Sequence, residues 1–287
     1  MSGVRILALA GAAAMMSTAA LAADFPPAMP PAPPVMQPAP AVESGWYLRG
    51  DVGVGVQNFQ NFDHFQTNPN FVWPASWAIV QSHMDDTTFF DFGVGYQFNN
   101  WLRFDFIGEH RNSAKFKVVG SYHEFCPGGA TCFDQYDGSH GAEVFLANAY
   151  LDLGTWWCLT PFIGAGVGGA YNTVSAVSDV GFVNTQAPGF GYSSADASSW
   201  TFAWAAHAGL AYNVSSNLKL EIAYRYLNLG SVKTPVVNCS SAGCQSTGGP
   251  AAYYTLTNFD SQDFKLGLRW MLAPEQPIYA PPLIRKG

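Results

Sequence analysis

Residues 220–230 read LEIAYRYLNLG, and the order of charged and apolar residues in this stretch decides the fold. Side chains of a β-strand alternate between two faces, so one face carries Glu221 and Arg225 and the other carries Leu220, Ile222, Tyr224 and Tyr226. In a soluble sheet the apolar face would pack in the core. In a membrane barrel that face would meet lipid, and the charges would lie in the lumen. The rest of the chain decides between these two arrangements.

The two ends of the chain differ in composition from its middle. Residues 1–22 contain a basic residue, an apolar stretch and a run of small residues, which is the pattern of a secretory signal peptide. A membrane anchor is the alternative, but the apolar run is shorter than the roughly 20 residues that a spanning helix needs. Residues 23–44 predict a Pro-rich periplasmic leader and residues 273–287 a Pro-rich tail, which leaves residues 45–272 as one domain.

The overall composition argues against an ordinary soluble domain. Charged residues make up only 11% of the chain, against about 25% in typical soluble domains, whereas aromatic residues reach 15%. After the first residues no apolar stretch is long enough for a membrane helix, so the apolar residues are dispersed along the chain. The net charge of -7 argues against a nucleic-acid partner, which would require a basic face.

Eight segments alternate apolar residues with small or polar residues and predict eight strands. They are residues 46–57, 89–98, 102–110, 142–154, 159–171, 200–214, 220–230 and 264–272. Short and long connections alternate strictly between them, which is typical of membrane barrels with tight periplasmic turns and long outer loops. The sequence therefore predicts an all-β fold, an eight-stranded antiparallel transmembrane β-barrel in the outer membrane of a Gram-negative bacterium. It has four long outer loops, and both termini are periplasmic.

The small and polar faces of these strands carry five charges of each sign. They are Arg49, Arg103, Arg225, Lys265, Arg269, Asp51, Asp91, Asp105, Glu109 and Glu221. A soluble barrel with this pattern would bury all ten charges and expose Phe, Leu and Trp to water, so it would be insoluble. A barrel in lipid has no such conflict. An eight-stranded barrel is just wide enough to be filled by its own side chains, so we expect these ten side chains to form a network in the lumen.

The sequence resembles the opacity-type small outer-membrane β-barrels of Gram-negative bacteria, which are often grouped as porin-family proteins. The resemblance rests on GWYLRGDVGVG (45–55), PFIGAGVGGAY (161–171), LKLEIAYRYLNLG (218–230) and FKLGLRW (264–270). It covers essentially the whole chain after the signal peptide. These motifs are moderately specific for the fold and only weakly specific for any activity.

Five cysteines occur, and four of them form two close pairs in predicted outer loops. Because an exported protein meets oxidising conditions, we expect disulfides between Cys126 and Cys132 and between Cys239 and Cys244. A four-cysteine zinc site is the alternative, but the spacings are wider than those of usual zinc ligands, and no metal site is expected. Cys158, beside a short turn, is left unpaired.

Neither a catalytic residue nor a cofactor is expected. The stretch GAGVGG (164–169) matches a dinucleotide fingerprint, but poor helix formers follow it. No Ser and carboxylate are placed to form a triad with His207, which we expect to pack in the lumen. The aromatic residues of the first long loop (58–77) leave two readings open, a ligand-binding tip or strands that extend beyond the membrane and pack there.

The expected function is a structural and surface-interaction role in the cell envelope, with the lumen closed by the charged network. The expected partners are outer-membrane lipid and lipopolysaccharide, and peptidoglycan or host surface ligands reached through the loops. The alternative is a porin-like channel for small hydrophilic solutes, in which the same charges line a narrow polar path. An envelope enzyme is the weakest hypothesis.

Overall fold

The computed structural model describes residues 44–66, 73–124, 126–183, 186–193, 195–239 and 251–272. The strands are β1 (Gly45–Asn58), β2 (Asn61–Gln66), β3 (Ala78–Met84), β4 (Thr87–Gln97), β5 (Leu102–Tyr122), β6 (Cys132–Asp152), β7 (Leu159–Val183), β8 (Gln186–Tyr192), β9 (Ala197–Asn213), β10 (Leu218–Lys233), β11 (Asn238–Cys239) and β12 (Ala252–Met271). The predicted signal peptide and tail, and all of the leader except its last residue, lie outside the described ranges.

Eight of these strands close into a ring. Neighbours pair antiparallel in the order β7, β6, β5, β4, β1, β12, β10 and β9, and β9 pairs back to β7. Each predicted strand overlaps one member of this ring. The prediction of an all-β, eight-stranded antiparallel barrel is thereby confirmed.

The strands are longer than the alternation of apolar residues predicts. Four strands continue about ten residues past their predicted ends on one side of the barrel, namely β5, β6, β7 and β12. Four short strands pair in this region, namely β2, β3, β8 and β11. We call the region formed by these segments the outer extension. The outward faces of the extension carry many polar side chains, so a search for apolar residues at every second position ends too early. Parts of the predicted outer loops, including His64, His83 and His140, are therefore strand.

The two faces of the barrel wall answer the question raised by residues 220–230. Ile222 is 63% exposed and Phe92 is 68% exposed on the outside, whereas Arg225 is 0% exposed on the inside. Outward side chains change from apolar to polar at Thr88, His110, Glu143 and Gln262, which marks the outer edge of the membrane-spanning part. The apolar face of each strand is thus the lipid face.

No helix in the described ranges is long and apolar enough to cross a membrane.

Candidate functional site

All ten charges predicted for the lumen lie on inward faces of the barrel strands and are buried. The structure adds Arg111 and Lys219 to the cations, and Asp152 and Asp263 to the anions. Among the described residues the buried charged side chains therefore number seven of each sign. They form three layers along the barrel axis.

The outer layer is built around Arg225 on β10. Its guanidinium lies 2.7 Å from the carboxylate of Glu109 on β5 and 2.6 Å from that of Asp263 on β12. Arg111 makes a bidentate contact with the same Asp263 carboxylate, with N–O distances of 2.9 and 3.0 Å. Such paired, charge-assisted hydrogen bonds are the strong ones, and here they join three strands across the lumen.

The middle layer alternates positive and negative groups. The Arg49 guanidinium lies 2.7 Å from the carboxylate of Asp51 and 2.7 Å from that of Asp105. The Lys265 ammonium lies 2.9 Å from Asp51 and 2.6 Å from Asp91. Asp51 is therefore shared between an arginine and a lysine, and no carboxylate of this layer lacks a cation.

The periplasmic layer adds aromatic rings to the ion pairs. Arg103 donates to Asp152 over 3.2 Å, and its guanidinium carbon lies 4.1 Å from the ring centroid of Tyr150. Arg269 lies 2.9 Å from Glu221 on the neighbouring strand and donates to Gln97 over 2.8 Å. A cation placed over an aromatic ring gains further electrostatic stabilisation in a buried site.

Apolar side chains fill the lumen on the outer side of the charges. Leu227, Leu229, Val144, Val174 and Phe259 are buried in one cluster. Gly230, with a positive φ of 78°, and a register shift after Asn228 place this part of β10 against the cluster. The lumen is thus occupied by charged side chains at one depth and by apolar side chains at another.

Sequence reasoning missed four of the buried charges, and each had a local cause. Arg111 lies one residue past the predicted end of the third strand, and Asp263 one residue before the predicted start of the eighth. Continuing each alternation by two positions, from Glu109 and from Lys265, would have found them. Asp152 lies in a segment whose Ala-rich pattern is weak, and Lys219 lies one residue before the predicted seventh strand.

The aromatic residues of the first predicted loop pack inside the outer extension. The His64 ring on β2 lies 4.2 Å from the ring of Trp73 and 4.1 Å from that of Trp77, centroid to centroid. Phe62 stacks on Tyr254 at 5.0 Å. These contacts support the interpretation that the strands extend beyond the membrane and that the rings pack there.

Two carboxyl groups lie beside this aromatic cluster. The hydroxyl of Tyr254 donates to Asp179 over 2.9 Å, and the hydroxyl of Tyr136 donates to Asp134 over 3.4 Å. Burial, together with the nearby charge of Asp134, raises the pKa of Asp179 to about 7. Burial also raises the pKa of Asp134, to about 6. These side chains can therefore change protonation near neutral pH.

A cleft of about 520 Å³ opens in the wall of the outer extension where β9 and β10 separate. The two strands pair only as far as Asn228 and Trp204, and the cleft lies beyond that point. Its lining combines apolar surface with the polar side chains of Asp196, Ser199, Lys233, Asn238 and Tyr253. Within the described part of the chain, neither Asp196 nor Lys233 has an ion-pair partner, so both charges are available to a ligand.

Cys126 and Cys132 form the predicted disulfide, at the tip of the β5–β6 hairpin. Cys158 is a free, exposed thiol. Cys244 and the side chain of Cys239 lie outside the described residues, so the second pair stays a prediction. In the ranges that the structure covers, no three His, Cys, Asp or Glu side chains are grouped as metal ligands.

His207 lies in the lumen and packs among polar and aromatic side chains. Its Nε2 is 3.2 Å from the side-chain oxygen of Asn148, and its ring lies 5.2 Å from that of Tyr150. Hydrogen-bond geometry of this kind holds a ring in place.

Comparisons with known proteins agree with the barrel architecture. The family model for the outer membrane protein beta-barrel domain matches residues 6–271. An uncharacterised protein of Brucella abortus is 33% identical over 211 residues, which cover 65% of this chain and 68% of that protein. The outer membrane protein PagN of Salmonella typhimurium is 34% identical over 128 residues, 44% of this chain and 48% of PagN.

Among solved structures, the outer membrane protein OprG from Pseudomonas aeruginosa aligns with a TM-score of 0.47 and 13% identity, over 80% of this chain and 97% of that one. The family match covers nearly the whole described barrel. The chain therefore belongs to the outer membrane protein β-barrel domain family, and it is an integral protein of the Gram-negative outer membrane.

Proposed function

We propose that this protein is a structural and surface-interaction protein of the cell envelope, with a lumen closed to solutes. The observation that supports this most strongly is the burial of the inward arginines. Arg103, Arg225 and Arg269 are each 0% exposed. In an open pore, lumen-facing side chains border water and keep part of their surface accessible. Here other side chains cover these guanidinium groups completely.

The charges and the apolar cluster would act as two barriers in series. An ion that entered the charged layers would have to break pairs held at 2.6 to 2.9 Å. It would then meet Leu227, Leu229 and Phe259, which offer no hydrogen-bonding group to replace its hydration shell. The charged layers and the apolar cluster each oppose solute flow. Together they favour a lumen that is closed along its length.

The surface role is assigned to the outer extension, because this part of the protein stands beyond the membrane-spanning strands. The β9–β10 cleft is its most evident site for a ligand, with one free acidic and one free basic side chain in its lining. A cleft that combines Asp196, Lys233, hydroxyl groups and an aromatic ring suits a polar partner at a surface, such as a host or envelope glycan.

A porin-like channel is the second candidate, and one observation favours it. The Nη1 atom of Arg103 and the Nη2 atom of Arg269 are buried and lack a hydrogen-bond partner among the described residues. A hydrated path along the periplasmic layer would satisfy both atoms. The two candidates therefore differ in whether such a path continues through the outer and apolar layers.

The deciding experiment is conductance of the purified barrel in planar bilayers. The native protein, shown to be folded by its heat-modifiable mobility, is expected to give no steps. Reproducible steps whose ion selectivity changes on Arg225→Ala would establish the channel and would reject the closed lumen. A matched Lys117→Ala variant, changed outside the lumen, should leave any conductance unaltered.

A further inference from the structure

The lipid-facing side of β1 differs from its neighbours in the size of its side chains. In the outer half of the strand its outward positions carry Gly50, Val52, Val54 and Val56, whereas the periplasmic half carries the larger Trp46 and Leu48. Val52 lies between Phe90 on β4 and Leu266 on β12, and Val54 lies between Thr88 and Phe264. The surface is therefore lower along Val52 and Val54 than at Phe90, Leu266 and Phe264 beside them.

This difference in height produces a trough of about 590 Å³ on the outside of the barrel. Its lining includes Val52, Val54, Phe90, Phe264 and Leu266, all of them exposed. The volume falls in the range of small-molecule sites, and the lining is almost entirely apolar. Because the trough is narrow and runs along one strand, it fits a single extended hydrocarbon chain better than the convex wall of a second barrel.

The upper end of the trough has a polar rim. Asn112 on β5 donates from its side-chain nitrogen to the hydroxyl of Thr88 over 2.7 Å, and both residues line the trough. On the β12 side, Gln262 pairs with Val56. This is the level at which outward side chains change from apolar to polar. The trough therefore runs from the outer interface into the outer half of the membrane.

A cation stands just above this rim. Lys115 follows Asn112 by three residues on β5, is exposed, and has no ion-pair partner among the described residues. The neighbouring Lys117, in contrast, lies 3.8 Å from Asp137. An unpaired ammonium at the membrane surface attracts a phosphate group. A ligand that places an acyl chain in the trough and a phosphate group at Lys115 is a phosphorylated lipid of the outer leaflet.

We propose that this trough is a binding site for one molecule of lipid A, the phosphorylated anchor of lipopolysaccharide. One acyl chain lies along Val52 and Val54 between Phe90 and Phe264, and a phosphate lies at Lys115. This site is independent of the lumen, so it holds for a sealed barrel and for a channel alike.

The test is native mass spectrometry of the barrel extracted from outer membranes in mild detergent. The native protein is expected to retain one lipid A-containing molecule. Val54→Phe should fill the trough and lower the retained fraction at least about tenfold, because excluding two methylene groups already costs that much affinity. Val52→Leu is a milder second variant. Lys115→Ala should also lower retention.

One control lies on the opposite side of the ring. Val167→Phe adds the same bulk at an outward position of β7, four strands away from β1. The other, Lys117→Ala, removes a lysine of β5 that is already paired with Asp137. Both should retain the lipid as the native protein does, and heat-modifiable mobility shows that each variant is folded. Equal retention in Val54→Phe, equal loss in Val167→Phe, or a retained phospholipid in place of lipid A would each overturn the proposal.

Discussion

The guanidinium of Arg225 lies 2.7 Å from the carboxylate of Glu109, although the two residues belong to strands on opposite sides of the ring. β5 and β10 are separated by three strands in either direction. A single ion pair therefore crosses the full width of the lumen. Both side chains are fully covered, so the pair lies in a low-dielectric interior where its loss is costly.

Glu109→Gln should destabilise the barrel strongly, because it leaves Arg225 and Arg111 facing an uncharged partner. Removing one member of a buried pair costs about 3–5 kcal/mol. The measurement is the free energy of unfolding in urea, followed by tryptophan fluorescence in lipid vesicles. Lys117→Met breaks an exposed pair and should cost no more than about 1 kcal/mol. Equal effects of the two variants would contradict the lumen network.

Gly95→Ala should destabilise the barrel, because a Cβ at this inward position would overlap the ring of Tyr47. Overpacking of this kind costs about 1–3 kcal/mol. Gly108→Ala is the matched control on the outward face, where the nearest atom to the new Cβ is 3.4 Å away on Phe145. Its unfolding free energy should change by no more than about 0.5 kcal/mol.

Acidification from about pH 8 to about pH 6.5 should stabilise the outer extension. Burial raises the folded-state pKa of Asp179 to about 7 and of Asp134 to about 6, above the unfolded value of about 3.9. Over this range the folded state holds protons that the unfolded chain has released, so its stability is lost as the pH rises through these values.

Below about pH 6.5 His64 should oppose this trend. Burial lowers its pKa to about 3, so the unfolded chain takes up that proton first. Hydrogen exchange of β2, corrected for the intrinsic pH dependence, measures both effects. Asp179→Asn should flatten the response between about pH 8 and about pH 6.5, and an unchanged slope would show that Asp179 is not its source.

Trp77→Ala should loosen the outer extension and leave the membrane-spanning part unchanged. The Trp77 ring packs on His64 and Phe62, in a cluster that holds β2 against the interior. Exchange should therefore become faster in β2 and β3 but not in the lower half of β1. Phe65→Ala removes an exposed ring of β2, outside the cluster, and is the control. Faster exchange throughout the barrel would contradict a locally packed extension.

Asp196→Ala combined with Lys233→Ala should reduce adherence of bacteria that display the protein to epithelial cells. Both side chains line the β9–β10 cleft, and neither is engaged in an ion pair in the described structure. Lys117→Ala combined with Asp137→Ala removes the same charges from a paired, exposed site and should not change adherence. Equal surface amounts are checked by antibody. Unchanged adherence in the first variant would remove the cleft from the surface role.

Strand alternation predicted the membrane-spanning part well, because lipid on one face imposes apolar side chains at every second position. Ile222 and Phe264 show this signal clearly. The outer extension has water outside and its own packed interior, so its outward positions need no apolar residue. β7 consequently runs to Val183, although the pattern ends at Tyr171. The outer extension has no lipid contact, so nothing imposes apolar side chains at every second outward position there.

The inward positions of ten of the fourteen buried charges were predictable from strand alternation, but the ion pairs that they form were not. The inward position of Arg225 follows from the face it shares with Glu221. Its contact with Glu109, 116 residues earlier, depends on how the ring closes and on strand register. The trough along β1 also depends on register, because Val52 is low only relative to Phe90 and Leu266 beside it.

The pairing of β12 with β1 joins the last barrel strand to the first, and it has a consequence for assembly. Lys265, Arg269 and Asp263 all arrive with this last strand, so an incomplete barrel would hold Asp91 without its lysine. Asp51 and Arg111 would each keep one partner, Arg49 and Glu109, and lack the other. Unpaired charges facing a half-formed lumen are costly inside a membrane. Closing the ring therefore stabilises the barrel more than any partly assembled form, which makes assembly of the last strand cooperative with that of the first.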